Sequence, residues 1–191
     1  MNIFTILGSP RENGNTAAVL AMVEKELADN HQIDRLAISS TPINGCLGCG
    51  ACQKVIGQPG CVQTDNASAV FERILSADAV IYSSPLYCWG FSAQMKALID
   101  RHFCLATGAG TPDHRSLIAG KPVSLLVTCG GPVEGNADVI QTVFNRVCHL
   151  CAARIVNKTV IPFCTTPDVL GEDAVAAARK MAGDIHGALR G

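Results

Sequence analysis

The sequence predicts an α/β protein built on a parallel sheet, and three observations lead to this fold class. Short β-branched apolar runs alternate with longer amphipathic runs along the chain. Hydrophobic residues make up 48% of the 191 residues and charged residues only 16%, which suits strands buried on both faces. No internal repeat, linker or low-complexity segment interrupts the alternation. We therefore expect one domain over residues 1–191, a three-layer sandwich with helices on both faces of the sheet.

The apolar runs define the expected strands and helices in order. The strands are predicted over residues 2–7, 32–39, 78–84, 121–128 and 154–161. The helices are predicted over residues 15–30, 67–77, 92–103, 136–152 and 172–189. For five strands alternating with five helices, the natural solution is a flavodoxin-like five-stranded parallel sheet of order 2-1-3-4-5. Ligands of such sheets bind outside the carboxyl ends of the strands, near the switch point between strands 1 and 3.

Individual side chains sharpen the helix predictions. Ser92 is a good N-cap for the third helix. After that helix ends at residue 103, Gly and Thr residues predict a loose chain through residue 112. The first helix is expected to bury Leu20, Val23 and Leu27 on one face. The inward face of the fourth helix is expected to carry Val139, Ile140, Val143, Phe144 and Val147.

Charge and the first residues limit the partners and the compartment. The formal net charge is −1 and the basic residues are scattered, so we expect neither nucleic acid nor an anionic membrane as a partner. The chain enters an apolar strand directly after Met1, without the basic start of a signal peptide, and no apolar run approaches the length of a membrane span. We expect a cytoplasmic protein. Reduced cytosolic thiols make disulfides among the ten cysteines unfavourable.

The loop "GSPRENGNT" (8–16) follows the first strand and precedes a helix. Small and amide residues at such a turn leave backbone N–H groups free at a positive helix end, which favours an anion. The loop lacks both the Gly-Lys-Ser/Thr ending of a nucleoside triphosphate site and the G-x-G-x-x-G fingerprint. It suits one terminal phosphate; a Gly-rich turn with an Asn cap is the alternative. The candidate ligands are Ser9, Arg11, Asn13, Gly14, Asn15 and Thr16.

Two further loops fall at the same sheet edge. In "SSPLYCWGFS" (83–92), Pro85 stops the strand, and Tyr87 and Trp89 suit the wall of a planar ring system, although aromatics can simply cover a sheet edge. Pro85 and Leu86 are further candidates in this loop. In "TCGGPVEGN" (128–136), glycines permit close approach of backbone to a ligand, or form a plain tight turn. The candidates in this second loop are Thr128, Cys129, Gly130 and Gly131. A phosphate cradle, an aromatic wall and a glycine floor together describe a flavin mononucleotide (FMN) site.

The motifs "GSPRENGNT", "SPLYCWGFSAQMKALIDR" and "VTCGGPVEGN" together resemble the NADPH-dependent FMN reductase family, in order from residue 1 to about 165. A cysteine loop at 42–65 makes the chain similar to the iron–sulfur flavoprotein branch. The resemblance implies FMN as cofactor, with its phosphate in loop 8–16 and its ring against residues 85–89 and 128–131. It also implies a flavin-dependent oxidoreductase with NAD(P)H as a candidate electron donor. Members of the family form homodimers or homotetramers with the flavin near the subunit contact.

The cysteine loop contains "CLGCGACQKVIGQPGC" (46–61). Cys46, Cys49 and Cys52 follow a C-x2-C-x2-C rhythm that lets three thiolates wrap one cluster, and Cys61 follows after eight residues. Ferredoxins place the fourth cysteine sooner, and iron–sulfur flavoproteins usually have a tighter final gap. Zinc favours two separated C-x2-C knuckles. Despite the long final gap, the spacing predicts that all four cysteines are ligands of one [4Fe–4S] cluster. A reduced, metal-free loop beside the flavin is the alternative.

The remaining cysteines and the five histidines suggest no further site. Cys148 and Cys151 fall within a predicted helix and are interpreted as buried small hydrophobic residues. Cys88 and Cys129 are expected beside the flavin as packed, inert thiols. The histidines show no metal-type spacing, and each is expected to be a surface or capping residue.

The preferred function is a redox flavoprotein that passes electrons between a [4Fe–4S] cluster and FMN. One alternative is an NAD(P)H-dependent reductase of FMN or quinones without a cluster. A second is a non-enzymatic FMN electron carrier or regulator, although flavodoxins tend to be strongly acidic and this chain is not. The partner is a redox protein or a small-molecule electron acceptor. Loops 42–65 and 104–119 are long, apolar and Gly-rich, and we expect them near a contact between identical subunits.

Overall fold

The computed structural model describes residues 1–108 and 110–191 and contains a five-stranded, all-parallel sheet. The strands are β1 (Asn2–Leu7), β2 (Gln32–Ala37), β3 (Ala79–Pro85), β4 (Pro122–Thr128) and β5 (Arg154–Ile161). Their spatial order is β2-β1-β3-β4-β5, with parallel pairing at every step. The predicted flavodoxin-like topology is confirmed. The carboxyl ends of β1 and β3, where the order reverses, lie side by side.

Helices cover both faces of the sheet. They are α1 (Asn15–Ala28), α2 (Ala67–Ser76), α3 (Ala93–Arg101), α4 (Asp138–Leu150) and α5 (Glu172–Arg190). Side chains alternate along β1: Ile3 and Leu7 pack with α1 and α5, while Phe4 and Ile6 pack with α2, α3 and α4. The two hydrophobic layers hold the strand ends, and therefore the loops that follow them, at fixed positions.

Local predictions are confirmed at α1 and α3 and wrong at two places. The Ser92 hydroxyl accepts a hydrogen bond from the Met95 backbone N–H at 3.2 Å, as expected for an N-cap. Val139 is 47% exposed, because α4 buries a narrow stripe centred on Ile140 and Phe144, and Val139 lies outside it. The segment predicted to be loose through residue 112 contains a strand: Ala106–Thr107 pairs with Arg115–Ser116 in a short antiparallel ribbon. Residue 109 of that predicted loop lies outside the described residues.

No helix in residues 1–108 or 110–191 is long and apolar enough to cross a bilayer.

Candidate functional site

The first loop turns sharply from β1 into α1. A Cβ atom on Gly8 would lie 2.6 Å from the Ser83 carbonyl oxygen and 2.7 Å from the Met95 methyl carbon, so only glycine lets β1 leave the sheet here. The Ser9 hydroxyl donates to the Arg11 carbonyl at 2.9 Å and accepts from the Arg11 N–H at 3.1 Å, which fixes the bend. Helix α1 then begins after Gly14, which supplies no side-chain cap. Its first N–H groups are left for a ligand.

A pocket of about 370 Å³ lies at this carboxyl edge of the sheet. It brings together residues from all three predicted loops and one residue from the loop after β5. Its lining consists of Ser9, Arg11, Asn15, Thr16, Pro85, Leu86, Tyr87, Thr128, Cys129, Gly130 and Cys164. We call it the strand-edge pocket. The strand ends therefore build a site at the position that the topology predicts.

Hydrogen bonds tie the walls of the strand-edge pocket together. The hydroxyls of Thr16 and Thr128 lie 2.7 Å apart, and the Leu86 N–H donates to the Thr128 carbonyl at 2.9 Å. The Asn15 Nδ2 donates to the Thr165 carbonyl at 3.2 Å. Its Oδ1 is buried and has no hydrogen-bond partner among the described residues. An unpaired buried acceptor at a pocket wall suits a ligand that carries hydroxyl groups.

Four of the predicted flavin residues do not line this pocket. Asn13 is exposed and Gly14 precedes α1. Gly131 packs on Asn136, whose Nδ2 would lie 3.1 Å from an added Cβ. Trp89 is 58% exposed in a tight turn. All four nevertheless lie within two residues of lining positions in the chain.

The turn that carries Trp89 is strained. Tyr87 and Gly90 exchange two backbone hydrogen bonds of 3.1 and 3.0 Å. Cys88 and Trp89 between them have φ angles of 46° and 61°, in the left-handed region that glycine and asparagine prefer. Such backbone costs about 1–3 kcal/mol per residue and clusters at functional sites. Cys88 is exposed, so the expectation of a packed thiol at this position is wrong.

Gly130 differs from Gly8 in what surrounds it. Among the described residues, the one atom near an added Cβ is the Cys164 carbonyl oxygen, at 4.0 Å. Packing of the protein on itself therefore does not demand glycine at this position. The space belongs to the pocket, where a Cβ would meet a ligand.

A second pocket, of about 460 Å³, contains all four cysteines of the predicted cluster site. We call it the cysteine pocket. Its lining consists of Cys46, Leu47, Gly48, Cys49, Gly50, Cys52, Cys61, Val62, Gln63, Arg101, Phe103 and Cys104. Within the described ranges it shares no lining residue with the strand-edge pocket. In the same ranges no three metal-ligating side chains are gathered as a formed metal site. The four cysteines thus surround one pocket without being arranged as ligands of one ion.

Side chains, not backbone pairing, hold the cysteine loop to the core. Arg101 donates from Nη1 to the Asn44 carbonyl at 3.0 Å and to Asp65 Oδ2 at 2.8 Å. Burial raises the pKa of Asp65, but hydrogen bonds from Arg101 and from the N–H groups of Asn44 and Ala67 outweigh it and leave that pKa below its usual value. Farther along the loop, Gln53 Nε2 donates to the carbonyls of Phe103 and Ala106, both at 2.9 Å.

The cysteines fall into three groups by exposure. Cys148 and Cys151 are buried as predicted, together with Cys104 and Cys129. The exposed group is Cys46, Cys49 and Cys88, and the partly buried group is Cys52, Cys61 and Cys164. Burial raises the pKa of Cys148 to about 12 and of Cys151 to about 11. Burial, with the neighbouring Cys61 and Cys52, raises the pKa of Cys104 to about 12. These buried thiols stay protonated near neutral pH and are poor nucleophiles.

His102 is buried and is the C-cap residue of α3, so the capping part of its prediction is confirmed. Its Nδ1 lies 2.9 Å from the Leu98 carbonyl and must donate to it. Its Nε2, 2.8 Å from the Tyr82 hydroxyl, therefore accepts from that group. Burial lowers the pKa of His102 to about 4, and the ring is neutral.

Sequence comparison agrees with the geometry of the strand-edge pocket. The sequence profile of the NADPH-dependent FMN reductase family matches residues 1–166, which include all three loops. The chain belongs to this family. It is a flavin-dependent oxidoreductase, as the motifs indicated.

Curated relatives in sequence include two iron-sulfur flavoproteins. One, from Archaeoglobus fulgidus, is 32% identical over 186 residues, 97% of this chain and 79% of that protein. The other, from Methanocaldococcus jannaschii, is 31% identical over 139 residues, 73% of this chain and 66% of that protein. A more distant relative, an FMN-dependent NADH:quinone oxidoreductase from Opitutus terrae, is 34% identical over 112 residues, 55% of this chain and 52% of that protein.

Solved structures share the fold of this reductase family. The NAD(P)H:quinone oxidoreductase from Methanothermobacter marburgensis superposes with a TM-score of 0.76 at 18% identity, covering 97% of this chain and 96% of that one. An FMN-dependent NADH-azoreductase from Bacillus anthracis, solved in complex with FMN, gives 0.72 at 12% identity, with 97% and 99% covered. At these identities the likeness is one of architecture.

Sequence reasoning missed several residues that line the two pockets. Cys164 follows β5 in a stretch with no motif, and only the parallel topology brings it beside Cys129. The Cys164 N–H donates to the Cys129 carbonyl at 2.9 Å. Arg101, which lines the cysteine pocket, and the buried His102 beside it in the chain carried a usable signal. They lie three and four residues after the buried Leu98, on the inward face of α3.

Proposed function

We propose that this reductase-family protein binds FMN in the strand-edge pocket and a [4Fe–4S] cluster in the cysteine pocket, and that it passes electrons between them. The observation that carries the proposal is the separation of two pockets, one lined by residues of the three flavin loops and the other by Cys46, Cys49, Cys52 and Cys61. We take residues 1–191 as one FMN-binding domain in the cytoplasm. All ten cysteines lie in the described part of the chain, and each is a free thiol, which suits a reducing compartment.

The strand-edge pocket fits FMN on its own geometry. The uncapped start of α1 and the side chains of Ser9 and Arg11 suit a terminal phosphate. The unpaired Asn15 Oδ1 suits a hydroxyl of the ribityl chain. Pro85, Leu86 and Tyr87 would lie along the ring, with Gly130 admitting it close to the backbone. FMN supplies one- and two-electron transfer when bound, while these residues hold it and limit its contact with water.

The identity of the flavin tests the phosphate site. Loop 8–16 suits a single phosphate, and the sequence has no pyrophosphate fingerprint for an adenylate. We expect mass spectrometry of the released cofactor to show FMN. FAD in the supernatant of the denatured protein would contradict the assignment.

The cysteine pocket fits an anionic, sulfur-ligated cluster. Thiolates are the ligands that iron–sulfur clusters require. The pocket also contains a positive group, because Arg101 lines it and its Nε has no partner in the described residues. Two curated relatives are named iron-sulfur flavoproteins, which supports the same assignment. If Arg101 had a structural role alone, its buried Nε–H donor would have no acceptor.

Anaerobic reconstitution with iron and sulfide tests the cluster. We expect a broad visible absorption beyond that of the flavin, and an electron paramagnetic resonance signal after dithionite reduction. Cys49→Ala should abolish both and keep FMN, while Cys88→Ala, outside both pockets, should keep both cofactors. Wild-type protein without iron would overturn the cluster. A full cluster in Cys61→Ala would show that only the fourth ligand is misassigned.

A cluster-free NAD(P)H-dependent quinone or FMN reductase is the second candidate. It is favoured by the cysteines not being arranged as a formed metal site in the described residues. The printed names of the Opitutus terrae relative and the Methanothermobacter marburgensis neighbour support it as well. Steady-state NADH and NADPH oxidation with a quinone acceptor separates the roles. Turnover by iron-free protein favours the reductase, and no oxidation of either nucleotide favours a carrier or regulator with a protein redox partner.

We further propose a homodimer or homotetramer with the cysteine loop at a subunit contact. Leu47, Ile56 and Val62 of that loop are each more than 60% exposed, which is unusual for three apolar side chains in one segment. Light scattering at micromolar concentration should give at least twice the 20.0 kDa chain mass. A monomeric mass would contradict this contact.

A further inference from the structure

Arg101 is among the largest fully buried side chains of the described residues. Its side chain is 1% exposed, and that of its ion-pair partner Asp65 is 7% exposed. A buried charge is costly unless it is paired and hydrogen-bonded, and a hydrophobic residue would often stabilise such a position as well. The position of this arginine therefore calls for a reason other than packing.

The guanidinium joins the two ends of the cysteine loop. Asn44 precedes Cys46 and supplies a carbonyl acceptor, while Asp65 follows Cys61 and accepts from both Nη atoms at 2.8 and 3.2 Å. Asp65 in turn accepts from the Asn44 N–H at 2.8 Å, so that Arg101, Asn44 and Asp65 all contact one another where the cysteine loop begins and ends. Arg101 itself is the last residue of α3, a helix anchored by the buried Met95 and Leu98. The clamp therefore fixes the loop to the core.

One nitrogen of the guanidinium remains for the pocket. Nη1 and Nη2 are occupied, whereas Nε is buried without a hydrogen-bond partner among the described residues. Cys61 and the guanidinium line the same pocket. The unused Nε–H thus belongs to a side chain that lines the pocket with the four cysteines.

We propose that Arg101 is the positioning residue of the cysteine pocket, clamping both ends of its loop and donating Nε–H to sulfur there. Because Nε has no partner among the described residues, the acceptor is a cluster sulfur or the ligating Cys61 sulfur when the pocket is filled; this part rests on the proposed function. Lysine cannot replace arginine, because a single ammonium cannot reach the Asn44 carbonyl, both Asp65 oxygens and a sulfur in fixed directions.

Hydrogen–deuterium exchange on the metal-free, FMN-loaded protein tests the clamp. In Arg101→Lys, amides of residues 42–65 should exchange at least about tenfold faster than in wild type. Arg73→Lys is the matched control, because Arg73 makes a comparable two-pronged pair with Asp34, at 2.9 and 2.5 Å, away from both pockets. It should leave loop exchange unchanged. FMN content reports that each variant is folded, and Asp65→Asn provides a second break of the clamp if Arg101→Lys does not fold.

Anaerobic reconstitution tests the donor. Arg101→Lys should take up several-fold less iron per FMN than wild type or Arg73→Lys. The midpoint potential of any cluster it retains should fall. A hydrogen bond from an N–H donor to a cluster sulfur stabilises the more negative, reduced state, and Arg101→Lys removes that donor. Wild-type loop exchange in a folded Arg101→Lys, or a full cluster at the wild-type potential, would overturn the proposal. Iron-free wild-type protein would instead refute the cluster, and the exchange comparison would still decide the clamp.

Discussion

The two pockets are built by different means. The strand-edge pocket lies at the ends of β1, β3 and β4 and beside the exit of β5, so the sheet fixes its walls. The cysteine pocket lies in a loop whose single regular turn is Ala51–Lys54 among residues 42–65, and side chains such as Arg101 hold it. The first pocket is therefore formed before any ligand arrives. The second depends on a few polar side-chain contacts.

This difference predicts different local stability. Amides of the central strands open only with the whole fold, whereas a segment with few backbone hydrogen bonds opens locally. A change at the strand-edge pocket should alter ligand affinity with little effect on the shape of the pocket. A change at the cysteine loop should alter the shape of the pocket first.

The largest expected contrast is in thiol reactivity. In metal-free protein at pH 8, Cys46 and Cys49 should react with a maleimide at least about 100-fold faster than Cys148 and Cys151. The buried pair is shielded from the reagent, and the pKa of Cys148, raised to about 12, leaves about one molecule in ten thousand as thiolate. Peptide mass spectrometry of a labelling time course measures the rates. Equal labelling of all ten cysteines before unfolding would break the comparison.

Gly130→Val tests whether the strand-edge pocket is preformed. The added Cβ meets the protein only at ordinary contact distance, so we expect the unfolding free energy without flavin to change little. In the pocket it would overlap a bound ring, and we expect FMN affinity to fall about tenfold to a hundredfold, by the usual cost of overpacking. Fluorescence titration of FMN and urea unfolding measure the two quantities. Gly8→Val is the contrasting variant, and it should destabilise the protein even without flavin. Loss of stability by Gly130→Val would show that the glycine serves packing.

Acid should weaken the protein through the buried His102, which follows Arg101 in the chain. Its pKa falls from about 6.5 unfolded to about 4 folded, so the unfolded state binds the proton more tightly between these values. Stability is therefore full above pH 6.5 and is lost as the pH falls, by about 2 kcal/mol between pH 7 and pH 5. Urea unfolding at the two pH values measures the loss. His102→Gln should remove most of that pH dependence, and an unchanged slope would contradict the neutral buried ring.

Asn15→Asp gives a smaller effect at the phosphate site. A carboxylate at the start of α1 would repel a dianionic phosphate, and charge effects at helix ends of about 1 kcal/mol predict a loss of FMN affinity of about fivefold. Asn13→Asp is the matched control, because Asn13 is exposed and does not line the pocket. Equal affinities for both variants would argue against the phosphate at this helix end.

The fold and most of the strand-edge pocket could be predicted from sequence because they depend on local signals. Apolar periodicity gives the strands and helices, and parallel topology brings the loops that follow β1, β3 and β4 to one edge. Residues such as Thr16 and Thr128, 112 positions apart, meet for that reason alone. The same rule could have added the loop after β5, and with it Cys164.

The rest depends on long-range side-chain contacts that periodicity does not encode. Arg101 and Asp65 are both charged, and charge alone predicts exposure, yet each is buried because it pairs with the other. His102 is buried because Tyr82 and the Leu98 carbonyl satisfy both of its nitrogens. Cysteine spacing predicted a shared site for Cys46 to Cys61 but could not predict the arginine that closes it.

The central claim is that two cofactors occupy two separately built pockets. The most direct test measures iron and FMN together in anaerobically reconstituted wild type, Cys49→Ala and Gly130→Val. We predict about four iron atoms per FMN in wild type, FMN without iron in Cys49→Ala, and iron with greatly reduced FMN in Gly130→Val. Loss of both cofactors in either variant, or wild-type protein with FMN and no iron, would contradict the account.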